Sequence, residues 1–367
     1  MSIDAIVLAL VERFGETGAH ALIGLALGGA FGALALLTRF CTRAMVAEWV
    51  TGSSGSQRGV WAIAFAVARV SVQALLALDL LYVAETRFFG TPQSVSGAVI
   101  GGAVFGIGMA LARGCASRLL VLGAAGNLRA MATVAVIGIT AWLTIQGPLA
   151  PLRDAFGGIV STAQLGGNDA LALVGLPAAA GVALGVAALV GAGIVARRIR
   201  LSVPLTAGAT LLGLVVPAGW LALYALSGQV FDPIQVESVS FVRPLASTAS
   251  LASEASAWLG FDTALVAGTL SGAFLAALVT RRFRIEAFGA PGAVHPLRYL
   301  TGGIAMGFGG VLAVGCTVGA GFTGGSVLAL TGLLALAAMI GAAAATIATL
   351  ERLPRAEIGH ARLEAAE

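Results

Sequence analysis

The chain has 367 residues, 58% of them hydrophobic and only 10% charged, with a mean hydropathy of +0.97. A soluble domain carries roughly 25% charged residues, so too few charges remain here to coat a water-facing surface, and the exterior must face lipid. The net charge of +4 comes with no basic patch interleaved with aromatics, so nucleic acid is not an expected partner. Three cysteines in apolar settings exclude a disulfide framework.

The first eighteen residues carry Asp4 and no basic segment. They are expected to form an amphipathic interfacial helix or a lead-in to the first span rather than a cleaved signal. Apolar runs of spanning length follow at about 19–38, 61–83, 97–113, 128–147, 171–196, 203–227, 262–280, 299–314 and 328–348. A full span needs about 20 residues. The runs at 97–113 and 299–314 fall short and lead into a cysteine, which is how half-helices and re-entrant segments read. The expected fold is an all-α integral membrane protein of about nine transmembrane helices with short half-helices and an internal two-fold repeat. It forms one polytopic domain over 1–367: a first repeat at about 19–147, central spans at about 171–227 and a second repeat at about 262–350.

All 21 basic residues are arginine, and their placement sets the expected orientation. The clusters Arg197, Arg198, Arg200 and Arg281, Arg282, Arg284 belong on the cytoplasmic side, with Arg352 and Arg355 of the tail. The 228–261 loop, with Asp232, Glu237 and Glu254 against Arg243, belongs outside. Counting back places the N-terminus outside and the C-terminus inside.

The repeat is the most informative pattern. Gly101 to Cys115, GGAVFGIGMALARGC, aligns without a gap on Gly302 to Cys316, GGIAMGFGGVLAVGC, with eight identities in fifteen positions. A weaker match sets Leu27–Cys41 against Leu270–Arg284 with seven identities, Arg284 standing where Cys41 stands. Repeats of this kind put a solute site where two halves meet. The arginine-based orientation makes the weaker pair parallel and the stronger pair antiparallel, which cannot both hold if all segments fully span: either a span is miscounted or some are re-entrant.

Each cysteine lies where an apolar run breaks, and arginines flank Cys41 and Cys115. A lone buried cysteine packs as a small hydrophobe, but three in matching settings point to a shared role. Isolated cysteines without CxxC spacing or a nearby histidine make a poor metal site, and His295 reads as a solvated loop residue. Neither a metal nor a cofactor is expected. Nucleophilic catalysis needs a base beside the thiolate, and none is near in sequence. A neutral thiol offers a weak S–H donor and a polarisable sulfur. Thiols spaced along a pore can therefore pass on a soft, sulfur-bearing anion, each site binding loosely enough to release it. Gly114 and Gly315, beside Cys115 and Cys316, let backbone N–H groups approach such an anion where a helix begins.

At these residues the sequence resembles the YeeE/YedE family of bacterial sulfur transporters, whose characterised function is thiosulfate uptake. Three motifs carry the likeness: RFCTRAMVAEW at 39–49, FGIGMALARGCASRLLVLGAAGNLRA at 105–130 and GGIAMGFGGVLAVGCTVGAGFTGGSVLAL at 302–330. The family's motif cysteines fall on Cys41, Cys115 and Cys316. The resemblance implies that these line a constricted path and relay thiosulfate across a bacterial inner membrane by S–H to sulfur contacts. It also implies a small cytoplasmic cysteine-bearing sulfur-transfer protein as partner. Some relatives are linked to selenium metabolism, so a selenium compound is an alternative passenger. A membrane-embedded thiol-dependent sulfurtransferase is the rival activity, and a structural subunit with incidental cysteines is a third reading. The stretch from about 148 to 260 matches none of the family's motifs.

Among other polar residues, Arg69 and Gln73 share a helix face, and Asp79 is a candidate partner for Arg69. Arg113, Arg118 and Arg129 flank the central motif and either attract a dianion or reach for headgroups. Arg118, three residues beyond Cys115, is the favoured anion ligand. Trp49 reads as an interfacial anchor.

Overall fold

The computed structural model describes residues 3–84, 86–231, 234–251, 260–288 and 295–352. Among these, nine helical segments are long and apolar enough to cross a membrane, and no strand is present beyond isolated bridges. With no water in the hydrocarbon layer, a helix is the form in which a segment satisfies its own backbone. The chain is an all-α, multi-pass membrane protein.

In chain order the helices are α1 Ile3–Thr38, α2 Thr42–Thr51, α3 Gln57–Ala77, α4 Val95–Leu111, α5 Ala116–Ala124 and α6 Leu128–Ile145. The short α7 Ala150–Gly157, α8 Thr162–Leu165 and α9 Ala170–Leu173 follow, then α10 Ala179–Arg198 and α11 Val203–Ser227. The remainder are α12 Val242–Ser250, α13 Phe261–Val279, α14 Pro296–Leu312, a π-helix Thr317–Gly324 and α15 Leu330–Arg352. The lead-in is helical and kinks at Gly15, whose φ of 73° and ψ of 170° interrupt α1.

Small residues set the packing, as expected where lipid removes the hydrophobic drive between helices. Helices α1 and α13 lie parallel: a Cβ at Gly24 would sit 2.6 Å from the Phe261 carbonyl oxygen, and one at Gly32 would be 3.0 Å from the Ala273 nitrogen. Helices α4 and α14 run antiparallel with a reciprocal contact. A Cβ on Gly101 would lie 2.6 Å from the Gly309 oxygen, and one on Gly309 would lie 2.6 Å from the Gly101 oxygen. Gly108 faces Gly302 in the same way. In the sequence repeat Gly101 matches Gly302 and Gly108 matches Gly309, so this crossing is locally two-fold. A two-fold that reverses α4 onto α14 lies across the helices, whereas one relating the parallel α1 and α13 lies along them. The two matches therefore do not share one symmetry operator.

The arginine-rich loops gather at one end of the bundle. Gly126 packs on the Arg284 carbonyl, Leu128 N–H donates to Glu286 O at 3.0 Å, and Ser54, Ser56 and Arg58 share a cavity wall with Arg198 and Arg200. The opposite end is tied by bridges between Ser94 and Ser161 and between Asp169 and Ala329.

Candidate functional site

The three cysteines end three helices by one local device. Two residues before each stands a left-handed residue: Arg39 (φ 55°), Arg113 (φ 59°) and Val314 (φ 59°). The residue after it closes the helix with a bond five residues back. These are Phe40 N–H to Ala35 O at 3.1 Å, Gly114 N–H to Met109 O at 3.2 Å, and Gly315 N–H to Gly310 O at 2.8 Å. This is the Schellman closure, usually built on glycine. Here non-glycine residues hold the strained left-handed position, a pattern that clusters at functional sites. Each cysteine is then extended and caps the next short helix: Cys41 before α2, Cys115 before α5 and Cys316 before the π-helix.

Each sulfur faces first-turn N–H groups of the helix it begins: Ala44 for Cys41, Arg118 for Cys115, and Val318 and Gly319 for Cys316, so the thiols sit at the positive ends of the helix dipoles. The helix starts are brought together. The side chains of Cys41 and Cys115 are in direct contact, with the Thr42 N–H facing the Cys115 sulfur. Thr42 Oγ1 donates to Thr317 Oγ1 at 3.1 Å, which brings the residue after Cys41 against the residue after Cys316. The Cys115 sulfur lies 3.4 Å from Ser117 Oγ. All three cysteines are buried. From this meeting point α5 leads to the arginine-rich end, and the π-helix leads to Ala329 at the other. π-Helical turns are rare and gather at functional sites.

Aromatic rings wall one side. Phe322 of the π-helix meets Phe40, Trp61 and Phe65 edge-on, with centroids 5.5, 5.5 and 5.4 Å away. Trp61 Nε1 also donates to Thr42 Oγ1 at 3.3 Å. The extended stretch 234–241 lies across the π-helix: Thr323 Oγ1 donates to the Val239 carbonyl at 2.7 Å, and the Phe241 N–H faces the Cys316 sulfur.

Arg118 reaches the cysteine pair. Its guanidinium interacts with Cys41 and Cys115, and its Nη1 is buried without a hydrogen-bond partner. A buried donor without a partner is costly, so this nitrogen is free to donate to an acceptor. Of the two neighbouring glycines, only Gly315 is conformationally required. Its φ is +151°, and a Cβ there would lie 2.8 Å from the Ala320 nitrogen. At Gly114 a Cβ would meet side-chain atoms alone, the nearest Leu119 Cδ2 at 3.0 Å.

The other flanking residues lie elsewhere. Arg129 pairs with Glu286 at 3.1 Å, Arg113 is exposed, and Trp49 is 64% exposed. Asp79 stands beyond the end of α3 in a left-handed turn and forms no ion pair with Arg69 among the described residues. Gln73 instead donates to the Ser326 carbonyl at 2.7 Å. Sequence reasoning missed Thr42, Ser117 and Thr317, whose hydroxyls ring the cysteines. Their signal was available, since a hydroxyl residue follows each cysteine within two positions.

The model of the sulphur transport family matches residues 37–345, a stretch that holds all three cysteines and the central region from about 148 to 260. A search of curated proteins gave no match. Nine helical segments of spanning length among the described residues, broken helices meeting at buried cysteines and a family match over most of the sequence agree, and the chain belongs to the YeeE/YedE family of sulfur transporters.

Proposed function

We propose that this protein imports thiosulfate, or a closely similar sulfur-bearing oxyanion, across the bacterial inner membrane. The ion passes Cys316, then Cys115 and Cys41, by non-covalent S–H to sulfur contacts. The carrying observation is the convergence of three cysteine-bearing helix starts with the unpartnered Nη1 of Arg118. Helix starts and an arginine suit the negative oxygens of such an ion, and polarisable thiols suit its terminal sulfur. The direction rests on arginine placement. The arginine-rich end is read as cytoplasmic, which puts Cys316, before the π-helix that leads away from that end, first on the route. At the cytoplasmic mouth a small cysteine-bearing sulfur-transfer protein is the proposed receiver.

The test is uptake of radiolabelled thiosulfate into proteoliposomes holding the purified protein. Accumulation above empty vesicles supports transport; its absence from correctly inserted protein counts against it. The rival sulfurtransferase reading predicts a persulfide or thiosulfonate adduct by intact-protein mass spectrometry after exposure to thiosulfate. The relay predicts an unchanged mass.

A further inference from the structure

At the end away from the arginine-rich loops a cavity of about 260 Å³ opens beside the Cys316 break, its wall including Arg87, Gln93, Gln235, Arg243, Val314 and Gly315. Two cations line it, and each is already matched by a carboxylate. Arg87 Nη1 donates to Glu237 Oε2 at 2.7 Å, with side chains only 14% and 5% exposed. Arg243 Nε lies 3.4 Å from Asp262 Oδ2, and its Nη1 donates to Gln235 Oε1. At rest the cavity therefore holds its positive charge in pairs.

The two pairs differ in what Arg87 also holds. Its Nη2 donates to the carbonyl oxygen of Val314 at 2.7 Å, on the left-handed residue two before Cys316. Its guanidinium lies over the Phe88 ring, 5.7 Å from the centroid, and its own carbonyl accepts from Gln93 Nε2 at 2.6 Å. These contacts keep the guanidinium in place whether or not Glu237 is on it. A guanidinium has five N–H donors, so Arg87 retains donors for a ligand entering from the cavity. The bond with Glu237 is the one contact of the set that a second anion can replace in kind, oxygen for oxygen. Desolvation offsets much of the Coulombic gain of a buried pair, and a dianion brings more charge and more acceptor oxygens than one carboxylate.

We propose that the Arg87–Glu237 pair is a displaceable latch: an entering oxyanion takes the place of the Glu237 carboxylate on Arg87, directly before the Cys316 break. Glu237 is thus an internal competitor that sets how tightly the cavity binds solute, and Arg87 is the residue through which it acts. The latch rests on the transport reading for its purpose, but its binding behaviour stands apart from transport.

The experiment is titration calorimetry of the detergent-purified full chain with thiosulfate and, separately, with sulfate, alongside proteoliposome uptake. Glu237→Gln should tighten binding several-fold for both ions. Glu237→Asp, which keeps the charge but shortens the reach, should tighten it less. This milder variant preserves the test if Glu237→Gln does not fold. Arg87→Gln should weaken binding at least tenfold, and adding Glu237→Gln to it should recover nothing. Unchanged or weaker binding in a folded Glu237 variant would overturn the latch, as would equal tightening with and without Arg87. Binding that follows the latch pattern without accumulation of label would overturn the transport reading and leave the latch standing. Accumulation of label with binding unchanged in a folded Glu237 variant would do the reverse.

Discussion

Thr42 and Thr317, 275 residues apart in sequence, share a buried hydroxyl–hydroxyl hydrogen bond of 3.1 Å, each standing directly after a cysteine that begins a helix. Trp61 donates to the same Thr42 oxygen. One side chain thereby fixes two helix starts relative to each other and anchors the aromatic wall beside them.

Thr42→Val removes that oxygen and keeps the shape. It leaves the buried Thr317 hydroxyl and the half-buried Trp61 N–H without their partner, a cost of about 1–3 kcal/mol for a buried group. The variant should lower the thermal midpoint in detergent and slow thiosulfate uptake, while Thr42→Ser recovers both. Parent-like midpoints and rates in Thr42→Val would show that the hydroxyl pair does not hold the site together.

The proposed site has Arg118 act on the solute rather than on the fold. Its Nη1 makes no protein hydrogen bond, so Arg118→Gln should leave the thermal midpoint nearly unchanged. A hydrogen bond to a charged group contributes about 1.5–3 kcal/mol, which predicts a rise in the half-saturation concentration of roughly ten- to a hundredfold. Arg118→Lys should rescue only part of it, because an ammonium lacks the planar fork. An unchanged half-saturation concentration in a monodisperse Arg118→Gln sample would remove Arg118 from the site.

The glycines beside the two repeated cysteines should behave differently despite their matching sequence. Gly315→Ala meets a φ of +151° and the Ala320 backbone, with strain on the order of 1–3 kcal/mol. Gly114→Ala meets one movable leucine side chain. Thermal melts of the two variants should separate clearly, Gly315→Ala being the less stable. Equal midpoints would contradict the geometry assigned to the Cys316 break.

The helix breaks were legible in the sequence because apolar runs of limited length stop at Cys115 and Cys316, and run length is a direct consequence of bilayer thickness. The nine crossings follow from the same signal. The reciprocal Gly101–Gly309 contact was foreshadowed by the gapless repeat, whereas the opposed directions of the two matched pairs read in the sequence as a conflict between full spans. Other features left no local trace. Glu237 sits in a stretch that reads as an external loop, yet it is buried and paired with Arg87, 150 residues away. An extended segment folded over a π-helix has no apolar periodicity to announce it. The π-helix itself, TVGAGFTG, differs from an α-helix only in hydrogen-bond spacing, which composition does not encode. Arg69 and Asp79 fall in one apolar run, but α3 ends at Ala77, before Asp79.

The most direct test of the central claim is the initial rate of labelled thiosulfate uptake by proteoliposomes carrying Cys41→Ala, Cys115→Ala or Cys316→Ala. Each variant would first be shown to melt and insert like the parent. The relay predicts that each substitution alone reduces uptake to the level of empty vesicles, because removing one thiol interrupts the path. Parent-like rates in all three would contradict it, even with transport intact.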